Sequence, residues 1–101
     1  MKAILINPDS RAVELIDINR REDIARMIGF DTIASDEVGK EGEHLYFDED
    51  CFLRGSSGRF QLDSLAPVAG KAVIIGSAEN GKELRDTSID IDNLRGRIKY
   101  L

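Results

Sequence analysis

The sequence predicts an α+β fold: a largely antiparallel sheet of short strands and hairpins, with one clear helix at about residues 20–28 and a short C-terminal helix. Three observations lead there. Apolar residues fall in runs of strand length, separated by turn-forming Asn, Asp, Gly and Pro. One segment, flanked by Asn19 and Gly29, combines helical spacing with both a start and a stop signal. No linker, repeat or change of composition divides the 101 residues, so residues 1–101 read as a single domain.

Taken in order, Ile4, Leu5 and Ile6 lead into Asn7-Pro8-Asp9-Ser10, where proline supplies the fixed φ of a type I turn, and then into Val13, Leu15, Ile16 and Ile18, which predicts a hairpin. Asn19 is placed to cap a helix over Arg20 to Ile28, with Glu22 three residues on as in a capping box. Ile24, Met27 and Ile28 share one face of it, and Gly29 suits the left-handed position just beyond its end. Thr32 to Val38, Glu43 to Asp48 and Cys51 to Arg54 read as short strands. In the middle one Leu45 and Phe47 alternate with His44, Tyr46 and Asp48, so one face is expected to be buried. After the loop Gly55-Ser56-Ser57-Gly58 comes a short strand at Arg59 to Leu62 and an irregular stretch through Pro67 and Gly70. Ala72 to Ile75 reads as a central strand covered on both faces, and Asn80-Gly81 as a tight turn that sends Lys82 onward back antiparallel. Ile91, Leu94, Ile98 and Leu101 follow helical spacing, but Gly96 costs about 1 kcal/mol relative to alanine in a helix, so a short helix from about Asp92 with an extended tail is expected.

With 42% hydrophobic and 33% charged residues the chain belongs with folding domains, and its longest apolar runs are far below the roughly 20 residues that cross a bilayer. No membrane association is expected, and the short apolar N-terminal stretch lacks a signal-peptide core, which implies a cytoplasmic protein. The one cysteine, Cys51, has no partner for an internal disulfide, and a single His44 with a single Cys51 falls short of the ligand set of a structural zinc. No metal and no cofactor is expected. Nineteen acidic against fourteen basic residues give a net charge of −5, which disfavours phosphate backbones as partners.

Four constellations invite a chemical reading. Gly76-Ser77-Ala78-Glu79-Asn80-Gly81-Lys82 has the glycine and lysine spacing of a P-loop, but Glu83 stands where a magnesium-binding hydroxyl belongs and Glu79 would oppose the phosphates. A hairpin turn explains the same residues. Asp48, Glu49 and Asp50, and later Asp86, Asp90 and Asp92, miss the ligand spacing of a calcium loop, since Phe52 and Leu94 fall at ligand positions; turn and cap roles account for them. His44 as base and Cys51 as nucleophile are close in sequence, yet strand geometry can put them on opposite faces. The best candidate ligand site is the glycine-rich loop in which Arg54 and Arg59 bracket Ser56 and Ser57, with amides and guanidinium groups suited to a phosphate or carboxylate. No catalytic residue is assigned.

The opening Met1-Lys2-Ala3-Ile4-Leu5-Ile6-Asn7-Pro8, the helix ending in Gly29, the Leu45-Tyr46-Phe47-Asp48 strand and Ala69-Gly70-Lys71-Ala72-Val73-Ile74-Ile75-Gly76 together resemble a family of small uncharacterised phage and mobile-element proteins, a domain of unknown function. The resemblance covers most of the chain and implies an accessory role; it supplies no site residue. The favoured expectation is a noncatalytic module whose partner is another protein. The alternatives are a small anion- or nucleotide-binding domain or enzyme using the Arg54–Arg59 loop, with Lys82 and His44, and an acidic DNA mimic, which requires a stripe of carboxylates spaced like phosphates.

Overall fold

The computed structural model describes residues 1–55, 58–78 and 82–101. Its antiparallel sheets, one clear helix and short second helix give the α+β class that the sequence predicts. The first hairpin joins β1 (Lys2–Asn7) to β2 (Ala12–Asp17), with Lys2 opposite Asp17 and Asn7 opposite Ala12. The turn bond runs from Arg11 N–H to the Pro8 carbonyl, one residue later than proline's preference predicts. The Asn7 side chain accepts from Asp9 N–H and moves the bend along.

Helix α1 (Arg21–Ile28) ends at Gly29, whose φ of 94° is the left-handed conformation predicted for it. Its start is one residue late: Arg20 occupies the cap position, and the acid that closes the first turn is Asp23, not Glu22. The Asp23 carboxylate accepts from the N–H groups of both Asn19 and Arg20, and those two hydrogen bonds hold it below the usual carboxylate range.

Strands β3 (Ile33–Val38) and β4 (Glu43–Asp48) form the second hairpin. The segment expected to be a third short strand, Cys51 to Arg54, is instead a 3-10 turn at Cys51–Leu53. Asp48 bends it, since the carboxylate accepts from Asp50 N–H while Leu53 N–H returns to the Asp50 carbonyl. Beyond it lie β5 (Arg59–Leu62) and β6 (Val68–Ala69), the latter inside the stretch expected to be irregular. Next come β7 (Ala72–Ala78) and β8 (Glu83–Arg85), then α2 (Ile91–Arg95) and β9 (Ile98–Tyr100). β8 runs antiparallel to β7 as expected, while the Asn80-Gly81 turn lies outside the described residues.

Strand order β2-β1-β7-β4-β3 makes one antiparallel sheet, with β8 continuing the β1 side of β7; β6-β5-β9 makes a smaller second sheet. The run Ala72 to Ile75 is central and buried on both faces, as its unbroken apolar composition predicts. On one face Ala3, Val73 and Ile75 meet Ile24 and Ile28 of α1. On the other, Ile4, Ile6, Leu45 and Ile74 meet Phe60, Leu62 and Val68 of the small sheet and Leu94 of α2. β4 is therefore covered on both sides, and Tyr46 and Asp48 are buried along with Leu45, contrary to the single buried face its alternation predicts.

The C-terminal part is fastened to the large sheet by Glu43. Its carboxylate is buried and accepts from the Thr87 hydroxyl at 2.5 Å, Ser88 N–H at 3.1 Å and the Ser88 hydroxyl at 3.3 Å. Gly76 makes room for this clasp, because a Cβ there would lie 2.7 Å from the Asp86 carbonyl oxygen and 3.1 Å from Glu43 Oε2. Glu43→Ala is expected to lower stability by about 2 kcal/mol, as three partly buried donors lose their acceptor. Urea unfolding checks the loss, and faster amide exchange over residues 87–101 checks its place.

Candidate functional site

The best-connected polar cluster lies where β4 ends. Asp48 has only 2% of its surface exposed and collects Arg54 Nε at 2.9 Å, Asp50 N–H at 3.1 Å and the Thr32 hydroxyl. Arg54 Nη2 also donates to the Thr32 hydroxyl oxygen at 3.0 Å, and its guanidinium lies 4.3 Å over the Phe30 ring. Burial pushes the Asp48 carboxyl up, but the hydrogen bonds from Arg54, Thr32 and Asp50, with the Arg54 charge, outweigh that and hold it below its ordinary value. The hydrogen bond to Asp48 raises Arg54 in turn. Cys51 packs beside this cluster, its sulfur accepting from Ala69 N–H at 3.4 Å. The space left among Ile28, Phe30, Asp48, Cys51 and Arg54 is about 10 Å³, so the cluster is a packed joint, not a ligand cavity.

Above that joint the 3-10 turn points two apolar side chains outward: Phe52 is 52% exposed and Leu53 82%. The Arg59 guanidinium lies 5.3 Å over the Phe52 ring, and Leu101, also exposed, donates its N–H to the Arg59 carbonyl. The exposed Phe52–Leu53 ridge thus carries the Arg59 guanidinium on Phe52, while Arg54, next in the chain, lies on Phe30.

This places the residues chosen for an anion site. Arg54 is engaged with Asp48, Thr32 and Phe30, and Arg59 stacks on Phe52. Ser56 and Ser57 lie outside the described residues. At the loop's far end Gly58 N–H donates to the Asp9 carboxylate at 2.6 Å, so an acid already occupies that amide. Lys82 sits beyond the other end of β7, a strand about 20 Å long at some 3.3 Å per residue. His44 lies on the α1 side of the sheet, its ring centroid 6.2 Å from that of Tyr46, whereas Cys51 belongs to the core on the opposite side. The structure does not bring His44 and Cys51 together.

No family model, curated protein or solved structure matches this chain.

A second surface feature had no signal in the sequence. Between α1 and β3 runs a groove of about 440 Å³, floored by Ile24, Ala25, Ile33, Ala34 and Tyr46. Arg21 Nη1 reaches the Tyr46 hydroxyl at 3.5 Å across it. An eight-residue helix is too short to cover the whole face of the large sheet, and the groove is the part it leaves. The acids, by contrast, hold structural posts: Asp86 accepts from Lys2 N–H, Asp90 caps α2, and Asp23, Asp63 and Asp92 pair with Arg26, Arg97 and Arg95.

Proposed function

We propose that this chain is a noncatalytic protein-interaction module, in keeping with the accessory role of the phage and mobile-element proteins its sequence resembles, and that it docks another protein on the Phe52–Leu53 ridge. The observation that carries this reading is the exposure of Phe52 and Leu53 on a turn whose base is fixed by the Asp48–Arg54 joint. Aromatic residues and arginine dominate the energetics of protein interfaces, and a rigid base means little ordering cost on binding. The partner suited to the ridge is a protein presenting an apolar pocket rimmed by carboxylates, which Arg59 would meet. The pairing of acids with arginines at four places works against a DNA mimic, which needs a stripe of unpaired carboxylates.

The test compares affinity purification by the native chain and by Phe52→Ser/Leu53→Ser. Both side chains are exposed, so the variant is expected to melt close to the native temperature, with surface changes worth about 0.5 kcal/mol or less each. A specific partner retained by the native chain and lost by the variant is the expected result. A partner held equally by both, or none held by the native chain, overturns the proposal.

A further inference from the structure

The main strand order of the large sheet ends in β2 and β3, and these two ends are treated differently. At β2, Arg95 of α2 donates to the Val13 carbonyl at 3.2 Å, so a side chain already occupies the edge. β3 is bonded to β4 on one side and ends the sheet on the other. Glu49 N–H donates to the Thr32 carbonyl, which makes that pair, and every second pair after it, the hydrogen-bonded ones. The backbone groups of Ser35 and Glu37 consequently point out of the sheet. Ser35 and Glu37 also put their side chains on the α1 face, the same side as the groove floored by Ile24, Ile33 and Tyr46.

We propose that the β3 edge receives an extended segment of another protein, in which two adjacent Lys or Arg precede apolar residues at alternate positions, as an added strand. The bonds would go to Ser35 and Glu37, with apolar side chains lowered into the groove. Charge selects the occupant. Glu22, Asp31, Asp36 and Glu37 lie in or beside the edge and groove, against two cations, Arg21 and Arg26, of which Arg26 is already paired with Asp23. A second copy of this chain is disfavoured: pairing β3 with itself antiparallel sets Asp36 and Glu37 within roughly 5 to 8 Å of their own counterparts. A strand bearing cations at those positions turns the same repulsion into attraction. This site is separate from the Phe52–Leu53 ridge and stands or falls independently of it.

The probe is a capped eight-residue peptide in which two adjacent lysines precede alternating valine and threonine, titrated into isotope-labelled protein and followed by amide NMR, with the same peptide bearing two glutamates in place of the lysines as control. Shifts confined to residues 33–38, Ile24, Ala25 and Tyr46, produced by the lysine peptide and reduced by salt, are the expected result. Asp36→Lys/Glu37→Lys should weaken the lysine peptide by about tenfold or more and admit the glutamate peptide. No shifts, equal shifts from both peptides on the native chain, or shifts centred elsewhere overturn the proposal. So does dimerisation of the native chain that Glu37→Lys abolishes, because β3 would then belong to a second copy.

Discussion

Phe60→Ala is expected to destabilise the protein by about 4 kcal/mol, within the range for emptying a buried aromatic site, and to lower the melting temperature by roughly 20 °C for a domain of this size. Phe60 is fully buried and sits on β5, opposite Val68 of β6 and Tyr100 of β9. The strands of that small sheet are only four, two and three residues long. Ladders so short do not hold themselves in water, so the sheet exists by virtue of the face it lays on Ile4, Ile6, Leu45 and Ile74. Phe60 is the largest fully buried side chain in that seam. The loss should therefore be uneven: amide exchange should accelerate most in β6 and β9, and least in β1 and β7, which keep α1 on their other face. Chemical denaturation gives the total, and residue-resolved exchange gives its distribution. An even loss across both sheets would mean that the small sheet is held by something other than its buried face.

How much of this was legible in the sequence depends on whether a local signal coincided with the tertiary role. The Ala72–Ile75 run is apolar at every position because β7 is sandwiched between two layers, so composition alone marked it as central. Gly29 was legible because only a left-handed residue closes that helix end. Val68–Ala69 was not, since two residues carry no period; β6 is defined only by its partner β5. The 3-10 turn misled for a different reason. Cys51, Phe52 and Leu53 form an apolar triplet, which argues for burial, yet only Cys51 is buried. What decides their conformation is Asp48, upstream of them, and its role depends on Arg54 and Thr32 arriving from either side. In sequence, Asp48-Glu49-Asp50 looks like any solvated turn, although the three acids differ sharply in what they do. The groove beside β3 was invisible because it comes from a mismatch between helix length and sheet width, a property of the assembled layers.

Asp48→Ala is expected to cost about 3 kcal/mol, the lower part of the range for breaking a buried ion pair. The lower part applies because Arg54 keeps a third of its side chain in water and recovers some hydration when its partner is lost. Thr32, Asp50 N–H and the 3-10 turn lose their common acceptor at the same time, so the Phe52–Leu53 ridge should loosen along with the joint. Acid should produce the same effect reversibly. The Asp48 carboxyl is held below its ordinary value of 3.8 in the folded protein, so on acidification the unfolded chain takes up a proton first. Its contribution is therefore complete above the ordinary value and disappears as pH falls from about 5 toward the depressed folded value. Asp63, lowered chiefly by its hydrogen bonds to Arg97, adds a contribution of the same sign in the same window. Stability measured by urea unfolding between pH 7 and pH 3 should fall less steeply for Asp48→Ala than for the native chain, and the two curves should converge toward acid. Parallel curves would show that Asp48 titrates alike in the folded and unfolded states, and that Arg54 holds the turn by stacking on Phe30 and not by its charge.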